Sequence, residues 1–151
     1  MTRGQRSNLK VVGLWMIAIL ITLGSITVQQ GHAEEQKTCS LATLRGLYVF
    51  DGTGYNIVNS VPQPKAVVEF LTIKGDGTLT SLATVSLDGV IHSGIPGTGS
   101  YKVNQDCTGS LTFDGSGFTF DLYIAPHGGT FHMIETDSNT VLAGEVRRLP
   151  R

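Results

Sequence analysis

The sequence predicts an all-β protein, an eight-stranded antiparallel up-and-down barrel preceded by a removable amino-terminal segment. Three observations carry this reading. Of the 118 residues from Glu34 onward, 15 are glycine, well above the average share of roughly 7%. Those glycines fall between segments in which apolar and polar residues alternate, the punctuation of short strands and tight turns. After residue 33 no apolar residues recur at three and four over the dozen positions that a helix needs.

The amino end comes first. Arg3, Arg6 and Lys10 precede an uncharged run, Val11 to Val28, in which 13 of 18 residues are apolar, and Gly31-His32-Ala33 then leads into Glu34-Glu35. Positive, apolar, small-residue site is the order of a secretory signal, so residues 1–33 read as a signal peptide and residues 34–151 as the barrel domain. A retained membrane anchor competes, because 18 residues approach the roughly 20 that span a bilayer. Thr22, Gly24, Ser25 and Thr27 weaken the run and favour cleavage. Gln36-Lys37-Thr38 before Cys39 disfavours a lipid anchor, and the scattered basic residues favour general export over the twin-arginine route. The expected product is secreted or periplasmic, without membrane attachment. Cleavage takes away three positive charges and leaves 8 basic against 12 acidic residues, a net charge of −4. Such a balance lacks the basic footprint that nucleic acid requires.

Cys39 and Cys107 are the only cysteines, and in an exported chain an even pair reads as one disulfide. Closing that loop would stabilise the fold by up to about 4 kcal/mol through the entropy of the unfolded chain. Two free thiols or a metal site are the alternatives, although no CxxC, HxxxH or HExxH motif is present.

The strands follow in order: Leu44 to Asp51, Ala66 to Lys74, Thr78 to Leu87, Gly99 to Asn104, Thr108 to Phe113, Gly117 to Ala125, Thr130 to Thr136 and Thr140 to Arg148. Gly75-Asp76-Gly77, Asp88-Gly89, Asp114-Gly115-Ser116, Pro126-His127-Gly128-Gly129 and Asp137-Ser138-Asn139 join them as turns. Residues Gly52 to Lys65 read as one long polar connection, a lid or inlet loop. Period-two alternation puts Phe118, Phe120, Leu122 and Ile124 inside, with Leu79, Ala83, Val85, Leu87, Leu111 and Phe113, and leaves threonine-rich outer faces. Closure into a barrel removes the sheet edges, and eight strands enclose a space for side chains or one small ligand.

The motif residues are also familiar. Cys39, Leu44-Arg45-Gly46-Leu47-Tyr48-Val49-Phe50, Gly97-Thr98-Gly99-Ser100-Tyr101-Lys102-Val103-Asn104 and Asp106-Cys107-Thr108-Gly109-Ser110-Leu111-Thr112-Phe113 resemble small exported bacterial and fungal proteins with an allene oxide cyclase barrel-like domain. Glu135-Thr136-Asp137, Val141-Leu142-Ala143-Gly144 and Arg147-Arg148 are similar to the same group's ending. The resemblance spans nearly all of the mature chain and implies a calycin-type barrel. Plant cyclases of that name enclose an unsaturated epoxide in an apolar barrel and trigger its closure with a polar group. Their functional residues do not map onto this chain, so no catalytic residue is carried over.

Glu69 is the most informative polar residue, because Val67, Leu71 and Ile73 share its face and Ala66, Val68 and Phe70 make the opposite face equally apolar. Whichever side points inward, the face of Glu69 is therefore expected to be mostly buried or covered. An inward Glu69 would have a raised pKa and serve as proton donor or ligand anchor, whereas an outward one would pair with a lysine or arginine, the commoner arrangement. Glu135 beside Phe131 and Met133, and Glu145 beside Val141 and Ala143, pose the same choice, with cross-strand pairs to Arg45, Arg147 or Lys102 the ordinary outcome. Of His92, His127 and His132 only His132 sits within a strand, and no GxSxG elbow anchors a triad. Tyr48, Tyr101 and Tyr123, with Phe50, Phe70, Phe113, Phe118, Phe120 and Phe131, supply an aromatic lining if their faces point inward. The glycine-flanked turns cradle no phosphate, since no helix follows them.

No complete catalytic constellation emerges, and neither a cofactor nor a metal is implied. Glu69, Tyr48, Phe120 and Glu135 are the candidate ligand contacts. The leading expectation is a monomer binding a small apolar ligand or a surface partner. A cyclase or isomerase of a lipid-derived substrate, or an interaction protein acting through its loops, above all residues 52–65, are the alternatives.

Overall fold

A computed structural model describes residues 38–150, so the expected signal peptide lies outside the described residues. Two-residue turns of positive φ shape the longest hairpins. Asn59 and Ser60 (φ 51° and 64°) join β1 (Arg45–Val58) to β2 (Val61–Lys74), and Asp88 and Gly89 (φ 51° and 82°) join β3 (Thr78–Leu87) to β4 (Val90–Val103). Paired left-handed residues match the twist of the strands they connect. The arrangement strains Ser60, whose Cβ disfavours that region by about 1–2 kcal/mol. Ser60→Gly is accordingly expected to raise stability by about 1 kcal/mol, read as an increased urea midpoint at unchanged m-value.

Four shorter strands complete the sheet: β5 (Thr108–Phe113), β6 (Thr119–Ile124), β7 (Thr130–Glu135) and β8 (Thr140–Arg148). Every strand pairs antiparallel with its sequence neighbours, and β1 pairs with β8 to close the eight-stranded ring. This is the up-and-down barrel that the alternation foretells.

Residues 52–65 are not a loop. They form the outer half of the β1–β2 hairpin, paired without interruption from Gly52↔Val67 to Val58↔Val61. Glycine and proline are misleading punctuation here. Gly52 stands opposite Gly144 on β8, and the Phe50 ring occupies the space where either Cβ would lie. Pro62 and Pro64 precede the first β2–β3 pair, Lys65↔Leu87. On that side only the Pro64 carbonyl is met, by the Asp88 amide at 2.8 Å, and no partner asks for the missing amide donors. β4 likewise begins nine residues earlier than expected. Its first half pairs with β3 alone, across a bulge between Ala83 and Val85 where Gly94 has φ 67°. Bulge and Pro96 both discourage a further strand from adding to that edge.

One end of the barrel is plugged. Cys39 is bonded to Cys107 with Cα atoms 5.0 Å apart, and a 3₁₀ turn, Leu41–Thr43, leads to the fully buried Leu44. Tyr101 Oη meets the carbonyls of Leu41 and Leu44 at 3.0 and 3.2 Å. Arg148 donates from Nε and Nη2 to Tyr48 Oη at 2.9 and 2.6 Å, and from Nη2 to the Thr43 carbonyl at 2.8 Å. Leu71, Leu79, Leu111, Leu122, Phe131, Met133 and Val146 pack above this floor.

The outer faces depart from expectation in places. Val68 and Phe70 on β2 and Leu82 on β3 are about half exposed, so the second face of β2 is uncovered. Tyr123 also points outward, and Phe118 lies before β6 at the rim, half exposed. The aromatic lining is smaller by two of these rings, Phe70 and Tyr123, whereas Phe118 still borders the interior from the rim.

Candidate functional site

The end opposite the plug, where β2 and β8 begin and β3 and β7 finish, holds a partly open cavity of about 350 Å³. Val67, Ala83, Val85, Ile95, Phe113, Phe120 and Leu142 supply its apolar wall. Phe113 and Phe120 meet edge to face at 5.9 Å. The volume falls within the range of ligand pockets, about 300–1,000 Å³.

Six polar side chains interrupt the wall, the exposed Asp114 and Ser116 and the more buried Lys65, Glu69, Ser81 and Glu135. Strand parity places Lys65, Val67 and Glu69 on one inward row of β2, and Glu69 is only 7% exposed. The expectation of an outward, surface-paired Glu69 is thus overturned. Its face is the one whose residues two apart, Leu71 and Ile73, belong to the core. Glu69 stands opposite Ala83, and Leu71 opposite Ser81, so Glu69 and Ser81 are diagonal neighbours on the same face. Burial pushes the Glu69 carboxyl above the ordinary carboxylate range, and the nearby Ser81 hydroxyl offsets part of that shift. Ser81 Oγ is itself buried and reaches no partner in full hydrogen-bond geometry. A Cβ on Gly97, which faces Ser81 across the β3–β4 pair, would collide with that hydroxyl. The glycine therefore keeps the space beside Ser81 open.

Glu135 is also inward, 6% exposed. Its partner is none of the expected cross-strand cations. Lys65 Nζ reaches it at 2.8 Å, spanning from β2 to β7. The intervening row holds Gly54 opposite Lys65 and Leu142 opposite Gly54, one side chain fewer than usual. Thr140 Oγ1 donates to the same carboxylate oxygen at 3.0 Å, and Lys65 Nζ lies 5.4 Å from the centre of the Phe118 ring. The ion pair thus crosses the barrel nearer the mouth than Glu69.

Glu69, Glu135 and Phe120 therefore share one cavity, while Tyr48 does not. Tyr48 is fully buried at the plugged end, donating to the Gly128 carbonyl at 2.8 Å and packing edge to face on Phe131 at 5.6 Å. Its surroundings are structural. Glu145 faces outward and pairs with Arg147 at 3.7 Å on its own strand. His132 is exposed between Tyr123 and Glu145 in register, and neither His92 nor His127 lines the cavity. Among the described residues no group of three His, Cys, Asp or Glu could hold a metal.

Lys65 and Ser81 went unnoticed in the sequence. Lys65 was hidden by the glycines and prolines that made residues 52–65 look like a loop. Ser81 was detectable, since it sits two residues from both Leu79 and Ala83 and so must share their inward face.

The pKa displacement of Glu69 has a consequence for stability. A carboxyl whose folded pKa is raised stabilises the fold fully below its unfolded pKa, about 4.3. That stabilisation is lost as pH rises through the folded value. Glu69→Gln is expected to melt at a higher temperature than the native chain at pH 7 but to converge with it near pH 4. Thermal melts monitored by circular dichroism across that interval check this.

The chain matches no protein-family model and no curated protein.

Proposed function

We propose that this chain is an exported binding protein that holds a small, mainly apolar molecule in the open half of its barrel. The observation that carries the reading is the 350 Å³ cavity itself. Its walls are apolar, its inner level offers the unpaired Glu69 and Ser81, and its outer level is crossed by a lysine already neutralised by Glu135. Such a site combines apolar contact with a few convergent polar groups, the usual composition of a small-molecule site. The disulfide and the absence of a membrane-crossing helix among the described residues are compatible with an extracellular location.

A neutral fluorescent probe, N-phenylnaphthylamine, tests it. The native chain is expected to enhance its emission saturably, and Ala83→Phe, which fills the cavity from the 8% exposed Ala83, to abolish the enhancement while remaining folded. Equal enhancement by both proteins would contradict the reading.

A second reading is a cyclase or isomerase of a lipid-derived epoxide. It is favoured by the motif resemblance to allene oxide cyclase barrel-like proteins and by Glu69, a carboxyl whose pKa burial raises, which favours the protonated form that can donate. In that case Glu69→Gln abolishes turnover while leaving probe binding measurable. Action through a long loop at residues 52–65 loses its basis, since those residues are strand apart from the two-residue turn Asn59-Ser60.

A further inference from the structure

The cavity's charges do not balance, and the imbalance has one sign. Lys65 is the only cation lining it among the described residues, and its Nζ is bound to Glu135 at 2.8 Å. Glu69 faces no cation, and Asp114 adds another carboxylate at the rim, held by Thr98 Oγ1 at 2.7 Å. No charged side chain from β1, β3, β4, β6 or β8 lines the space. An anionic amphiphile would meet these carboxylates with no free cation to receive it, and desolvating its charge would be costly. A neutral molecule would be tolerated. A cation would do more, because it supplies the charge that a buried carboxylate lacks.

We propose that the ligand carries a protonated aliphatic amine, seated on Glu69 and Ser81 with its hydrocarbon among Val67, Ala83, Phe113 and Phe120. This rests on the reading of the cavity as a ligand site and narrows its chemistry. The ammonium donates to the Glu69 carboxylate and to Ser81 Oγ, which has no other partner in hydrogen-bond geometry. Lys65 is four residues away along β2, about 13 Å at strand spacing, and its charge is cancelled by Glu135. The acidic mature chain, with 8 basic and 12 acidic residues, also draws cations toward it. The ammonium supplies the counter-charge that favours the ionised form of Glu69.

Isothermal titration of the mature protein at pH 6 with octylamine, octanol and octanoate tests the proposal, with N-phenylnaphthylamine as an independent report on the cavity. Octylamine is expected to bind at least tenfold more tightly than octanol and octanoate more weakly than either. Glu69→Gln is expected to remove the preference for the amine over octanol. Should that variant not fold, the ligand order in the native protein decides alone. If octanol or octanoate binds as tightly as octylamine, the amine assignment is overturned while probe binding still upholds the cavity. If neither the probe nor any of the three ligands binds, the binding reading itself falls.

Discussion

Glu135→Ala is expected to destabilise the fold by about 3–5 kcal/mol, because it strands the Lys65 ammonium in the barrel without its counter-charge. The side chains of Lys65 and Glu135 are only 9% and 1% exposed. Water therefore gives the orphaned ion little help, unlike at a surface pair such as Glu145 with Arg147. Thr140 Oγ1 would lose its acceptor in the same step. Removing both charges has the opposite character. Lys65→Met with Glu135→Leu replaces a desolvated ion pair by apolar volume and is expected to be neutral or stabilising by about 1–4 kcal/mol. Urea unfolding of the three proteins measures both effects. A Glu135→Ala loss below about 1 kcal/mol would mean that the pair is solvated, and the mouth of the cavity would then be wider than described.

Removing the disulfide is the second large effect. Cys39→Ala with Cys107→Ala is expected to cost about 2–5 kcal/mol. The entropy of a chain closed over 68 residues of separation is one part of that loss. The other is local: Cys39 is 4% exposed, and its bond pins the segment that carries Leu41 and Leu44 onto Tyr101 and the barrel floor. The loss should therefore appear in faster amide exchange at residues 39–44 as well as in the urea midpoint. Native protein treated with reductant under denaturant and refolded without oxidant should behave as the double variant does. A midpoint unchanged by either treatment would contradict this account.

The sheet was legible because its inner faces obey a period of two. Leu79 and Ala83, Leu111 and Phe113, and Phe120, Leu122 and Ile124 all point inward as that alternation demands. The extent of β1, β2 and β4 was not legible. Gly52 and Gly54 break strands in most settings, yet here Phe50 covers Gly52, and Gly54 allows the Val141 backbone to approach. Pro62, Pro64 and Pro96 likewise mark turns except on an unpaired edge. The site was half legible. A glutamate in an apolar strand signals either a surface pair or a cavity, and only the core partners of its face decide which. Tyr48 shows the limit: an inward aromatic reads the same whether it lines a pocket or seals a floor. Which end of the barrel stays open depends on the plug at residues 39–44, whose position follows from the disulfide and from Tyr101.

The central claim is that small molecules enter the open half of this barrel and no other part of it. Methyl-labelled NMR of the mature protein titrated with N-phenylnaphthylamine measures this residue by residue. The account predicts shifts at Val67, Val85, Ile95 and Leu142, with Leu44 in the plug and Leu111 and Val146 packed above it undisturbed. Shifts confined to the outward Val68, Leu82 and Val141, or none at saturating probe, would contradict it.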